Sequence, residues 1–141
     1  MTDVPEKIVV VGAGQAAASL VQTLRGEGVD GQVTLIGEEP DPPYQRPPLS
    51  KKYLLGELSA ERLLLKPESY YAEAGVELMT GREVRAIDRA AGEVVLAGGR
   101  VPYDRLALTT GAAPRRLPGA VGGDLPGVHV VRTRADVDAL A

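Results

Sequence analysis

The junction at residues 7–17, KIVVVGAGQAA, restricts this chain more than any other stretch, because a short apolar run meets two closely spaced glycines there. Lys7–Val11 is rich in β-branched residues and has no polar face, so it reads as a parallel strand buried on both sides. From Gln15 to Arg25, Ala16, Ala17, Leu20, Val21 and Leu24 recur at helical spacing, and Gly26 and Gly28 supply the stop. VTLIG, residues 33–37, is a second buried strand. Strand, helix and strand in this order predict a βαβ unit, since parallel strands need a long crossover.

Residues 12–17 spell GxGxxA between the first strand and the helix. In such a turn Gly12 permits the tight reversal, Gly14 lets a diphosphate approach the backbone, and Ala17 keeps helix and strand close. The phosphates then sit on the helix N-terminus, which makes Gly12, Ala13, Gly14, Gln15 and Ala16 candidate binding residues. Glu38 ends the second strand, 21 residues beyond Ala17. A carboxylate there can accept both hydroxyls of an adenosine ribose and repels the 2′-phosphate of NADP. The motif in this context predicts an adenine dinucleotide site.

Composition narrows the chemistry. The chain of 141 residues carries a net charge of −3, which argues against non-specific binding to nucleic acid or anionic membrane. It contains no cysteine, so a disulfide scaffold, a thiolate metal site and a dithiol redox centre are all excluded on this chain. Any redox chemistry must come from a bound cofactor. No apolar run approaches the roughly 18 residues of a membrane span, and no signal peptide is evident, so a cytoplasmic location is the default expectation. His129 is the only histidine and lies within VHVV, where a structural role is expected; no metal constellation is present.

PPYQRPPLSK, residues 42–51, must be a loop, because proline fixes φ and removes donors. A short helix ending near Gly56 is expected in LSKKYLLGEL, and another in KPESYYAEAG, with Pro67 in its first turn and Gly75 as stop. VELMT reads as a strand. EVRAID, EVVLA and RVPYD alternate apolar with polar residues and predict a small antiparallel meander. RLALTTG, residues 105–111, is a further buried strand, and VHVV a short one. TRADVDALA opens a helix with Thr133 as N-cap and Asp136 three residues on. That helix has a start signal and no stop, so the chain is expected to be a fragment of a longer protein.

Three strings, VVVGAGQAAASLVQTLR, LIGEEPDPPYQRPPLSKKYL and YDRLALTTGAAPRRLPG, resemble the flavoprotein NADH-dependent ferredoxin and rubredoxin reductases, with the related apoptosis-inducing factor. The resemblance covers essentially the whole chain, and the proline-rich string is its most specific part. It implies an α/β Rossmann-like FAD-binding domain with a parallel sheet and a small antiparallel β-meander, an incomplete glutathione-reductase-type fold. Residues 1–141 would be the N-terminal part of that domain, without the NADH-binding and C-terminal domains. The implied cofactor is FAD, with NADH as co-substrate and a ferredoxin or rubredoxin as electron acceptor. The family's FAD contacts map onto Gly12, Ala13 and Gly14, the ribose acid Glu38 with Glu39 beside it, and Arg46 and Lys51 of the proline loop. They continue at Val84 and at Thr110, Gly111 and Arg115. By the same analogy Arg46 clamps the diphosphate and Lys51 tunes the flavin ring. The alternatives are another flavin NADH oxidoreductase of the NADH oxidase or nitrite-reductase type, and a non-enzymatic FAD- or nucleotide-binding module. The absence of cysteine disfavours the disulfide-reductase relatives. Weak or no FAD retention is expected of this chain alone.

Overall fold

The computed structural model describes residues 6–141, which divide into two units, one of residues up to Tyr44 with Leu64–Gly111, the other of Gln45–Leu63 with Ala112–Ala141. In the first unit, strands β1 (Lys7–Val11), β2 (Gln32–Ile36), β3 (Val76–Met79) and β7 (Arg105–Leu108) form a parallel sheet in the order β3-β2-β1-β7. Strands β4 (Val84–Asp88), β5 (Glu93–Leu96) and β6 (Gly99–Pro102) form the antiparallel meander, in sequence order. The α/β class, the βαβ unit and the meander all stand as expected.

Burial on both faces explains the unbroken apolar runs. Along β1, Ile8 and Val10 join Val33 and Leu35 of β2 in a core with Ala17 and Val21 of helix α1 (Gln15–Gly26) and Tyr71 of helix α3 (Glu68–Glu73). Val9 and Val11 point to the other face, where Ile36 and Val94 are buried and Val84, Leu96 and Val101 of the meander pack against them. The parallel sheet is thus the middle of three layers. Each fully buried Val or Leu contributes about 1.5–3 kcal/mol relative to exposure, so the two-sided strands dominate the stability of this unit. Arg25 closes its helical layer: the guanidinium donates to the carbonyls of Val29, Gly31, Ala74 and Gly75, tying the end of α1 to the end of α3.

The second unit holds the proline segment, helix α2 (Ala60–Leu63) and helix α4 (Arg134–Asp138). The α4 capping box is present: Thr133 Oγ1 accepts from the Asp136 N–H, and Asp136 Oδ2 accepts from the Thr133 N–H at 2.7 Å. Those bonds, with a further one from Arg132 N–H and the charge of Arg116, hold the Asp136 carboxyl below its ordinary range. Tyr53 Oη donates to Asp138 Oδ1 at 2.6 Å, joining the proline segment to α4.

Three expectations need correction. The helix expected after the prolines is a 3-10 turn over Pro47–Ser50 followed by turns. Its bonds differ in span, Lys51 N–H to Pro48 O, Tyr53 N–H to Pro48 O and Leu55 N–H to Lys51 O, and Lys51 itself leaves the helical region at φ −132, ψ −112, so no regular helix propagates. VHVV is irregular and pairs with no strand among the described residues; an apolar run cannot make a strand without a ladder partner. The strand expected at 105–111 ends at Leu108, because Thr109 turns its hydroxyl onto the backbone of β1's end and Gly111 takes φ +69. The four-residue helix α2 was not anticipated.

Tyr71 is the odd member of the first core: only 1% exposed, its hydroxyl has no hydrogen-bond partner among the described residues. Burial, with Tyr70 beside it, pushes its pKa up from 10.0 to about 12. A raised phenol pKa means a contribution to stability that is complete below pH 10.0 and lost as pH rises through about 12. Tyr71→Phe removes an unsatisfied group, so stability at neutral pH should be unchanged or rise by up to about 1–3 kcal/mol. Urea unfolding of the two proteins between pH 10.0 and about 12 should show a shallower alkaline loss in the variant; equal slopes would contradict this account.

Candidate functional site

In register, Val11 of β1 lies beside Ile36 of β2 on one side and Leu108 of β7 on the other. Parallel strands end at the same edge, so the segments 12–14, 37–39 and 109–111 leave the sheet side by side. This is the edge at which open α/β sheets bind ligands.

The three segments are joined by main-chain bonds. Gly12 N–H donates to Ile36 O at 2.8 Å, and Thr109 N–H to Val11 O at 2.8 Å. Gly12 has φ +103, and a Cβ there would lie 2.3 Å from Thr109 O and 2.8 Å from Thr110 Cα. No other residue fits. Thr109 Oγ1 donates to Gly12 O at 2.7 Å and also lies 3.2 Å from Val11 O. A Cβ on Gly37 would meet Ala13 Cβ at 2.5 Å, so the second crossing is as close as the first. The 37–39 segment is fastened in turn by Gly37 N–H to Met79 O, Arg82 N–H to Gly37 O and Gly81 N–H to Glu39 O, at 2.8–2.9 Å.

Gly14 is the N-cap of α1, and no side chain caps the helix. The first turn carries no acid, Gln15 and Ala16 are exposed, and a Cβ on Gly14 would meet nothing within 4 Å. Ala18 makes the first bond, to Gly14 O at 3.1 Å, so the preceding N–H groups face an open space at the positive end of a 12-residue helix. An anion suits that end. Glu38 stands exposed beside it, whereas Glu39 is half-buried and accepts a hydrogen bond from Tyr44 Oη.

Of the residues singled out from sequence, Gly12, Ala13, Gly14, Glu38, Glu39, Thr110 and Gly111 lie on these three adjoining segments, and Gln15 and Ala16 follow directly in the first turn of α1. Val84 lies apart from them, on β4: its side chain packs in the core on the meander side of the parallel sheet, and β4 is the edge strand of the meander. Arg46, Lys51 and Arg115 belong to the second unit. Arg46 is half-buried and donates to Arg132 O at 2.7 Å, while Lys51 and Arg115 are exposed. Thr109 and Gly37 were missed; the doubled threonine after a buried strand and the glycine directly before Glu38 are the only sequence signals for them.

Fold and site together define a nucleotide-binding α/β domain, with helices on one face of its parallel sheet and the antiparallel sheet as the third layer. The sequence profile of the pyridine nucleotide-disulphide oxidoreductases matches residues 6–141, and the chain belongs to that family. It is 45% identical over its full length to the ferredoxin–NAD(P)+ reductase of a Sphingomonas species, and 44% identical over 94% of its length to the rhodocoxin reductase of Rhodococcus erythropolis. Among solved structures, it superposes on the covalent putidaredoxin reductase–putidaredoxin complex with a TM-score of 0.86 at 36% identity, covering 96% of this chain and 33% of that one. A ferredoxin reductase from Rhodopseudomonas palustris gives 0.87 at 35%, with the same coverage. The chain spans about a third of the length of the curated relatives it matches, 34% and 31% for the two named.

The two glycines of the turn make opposite predictions. Gly12→Ala places a Cβ 2.3 Å from main chain at φ +103 and should cost at least about 3 kcal/mol or prevent folding. Gly14→Ala meets open space and should cost at most about 1 kcal/mol, the difference between two N-cap residues. Thermal unfolding followed by circular dichroism measures both, and similar losses would refute the crossing as the reason for Gly12.

Proposed function

We propose that this chain is the N-terminal part of the FAD-binding domain of an NADH-dependent flavoprotein reductase that delivers electrons to a ferredoxin or rubredoxin. The observation that carries the reading is the bare, uncapped first turn of α1, set where β1, β2 and β7 end together, in a chain 45% identical to a ferredoxin–NAD(P)+ reductase. When bound, the flavin would supply the redox chemistry, taking a hydride from NADH and passing electrons on singly.

The chain's own residues bind and orient. The N–H groups from Ala13 to Ala16 offer donors to the diphosphate, and the space over Gly14 allows its approach. Glu38, exposed beside the turn, accepts the ribose hydroxyls; Glu39, already engaged by Tyr44, holds that loop in shape. Thr110 and Gly111 border the same edge. The resemblance to the reductases assigns a contact to Val84, the diphosphate clamp to Arg46, which donates to the Arg132 carbonyl, and further positive charge for the cofactor to Lys51 and Arg115. With no cysteine on the chain, none of this involves a dithiol. No helix among the described residues is long and apolar enough to cross a membrane, and a cytoplasmic protein suits the reading. NADH binding and docking of the iron–sulfur partner are assigned to the remainder of the intact protein.

A titration of the purified chain with FAD and, separately, with NAD tests this. FAD should bind weakly but more tightly than NAD, Gly14→Ala should abolish that binding while keeping the fold, and the chain should not reduce ferricyanide with NADH. Preference for NAD, or FAD binding untouched by Gly14→Ala, would overturn the assignment.

A further inference from the structure

We propose that Thr109 is a positioning residue for the diphosphate: its hydroxyl fixes the Gly12–Ala13 peptide and so holds the Ala13 N–H ready for a phosphate oxygen. The inference rests on the dinucleotide reading given above.

Gly12 has no Cβ of its own to set ψ at φ +103, so the orientation of the peptide after it depends on contacts from outside the turn. A peptide that follows such a residue can rotate. Here it is tied, because Thr109 Oγ1 donates to Gly12 O at 2.7 Å. The backbone of Thr109 is itself anchored, its N–H bonded to Val11 O at 2.8 Å at the end of the β1–β7 ladder. The hydroxyl therefore hangs from the rigid sheet and not from another loop. The peptide is trans, so its N–H points opposite to the carbonyl that Thr109 holds. The Ala13 N–H finds no acceptor among the described residues, while Gly12 N–H is already bonded to Ile36 O. The result is one donor committed to the fold and the next fixed and available. Fixing a donor before the ligand arrives removes an ordering cost from binding. The phosphate, not the adenosine, gains from it.

Thr109→Val removes the hydroxyl at nearly constant shape, and Thr109→Ser keeps it. Ligand-detected NMR titrations of the full chain with ADP and with adenosine should show Thr109→Val binding ADP about 3- to 10-fold more weakly, with adenosine within about twofold and Thr109→Ser near wild type. In the wild-type chain the Ala13 amide resonance should move on addition of ADP and stay put with adenosine, a measurement that needs no variant. Unchanged ADP affinity in Thr109→Val, equal weakening of both ligands, or an Ala13 amide indifferent to ADP would each overturn the proposal. Failure of the wild-type chain to bind ADP at all would instead sink the dinucleotide reading beneath it.

Discussion

Two stretches of main chain cross at Gly12 at a distance that admits hydrogen and nothing larger, and the rest of the first unit is arranged around that contact. The end of β1 and the end of β7 are drawn together until the Thr109 carbonyl occupies the place of a side chain. Close approach fixes the angle at which the chain leaves β1, and with it the start of α1. The same approach is repeated between Gly37 and Ala13 on the other flank. An open helix end flanked by two tight crossings is what remains, and the apolar layers on either side keep it from collapsing, since Val10, Val21 and Leu35 are fully buried on one face and Val94 on the other.

What could be read from the sequence follows from how local each cause is. The parallel strands declare themselves because burial on two sides forbids polar residues, so KIVVV and VTLI need no partner to be recognised. The meander shows by alternation, and α4 by a capping box contained within four residues. The segment after the prolines misleads, because LSKKYLL has helical composition while Pro47 and Pro48 impose shorter bonds at its entrance. VHVV misleads for the opposite reason: its composition suits a strand, and a strand is a relation to a neighbour that composition does not contain. The glycine turn was legible because backbone geometry demands glycine there. Thr109 was not, because its significance lies in a hydroxyl aimed at a carbonyl 97 positions earlier.

The family takes its name from disulphide chemistry, yet this chain has no sulfur nucleophile at all. Holding a dinucleotide and supplying disulphide chemistry are separate attributes, since a fold does not by itself fix the chemistry done on it. The second unit illustrates the division. Its charged residues serve partly to organise one another, as where Asp136 gathers the N–H groups of Arg132 and Thr133, and Arg46 rests on the Arg132 carbonyl.

The span between Gly12 and Thr109 also has a meaning in time. A growing polypeptide emits its glycine loop early, but the strand that completes the cradle leaves the ribosome nearly a hundred residues later. Until then the first βαβ segment exists with one flank open, and loop closure over that distance is a slow, non-local step. The edge at which β1, β2 and β7 end together is thereby completed only after residue 109 has emerged, well after the glycine loop itself.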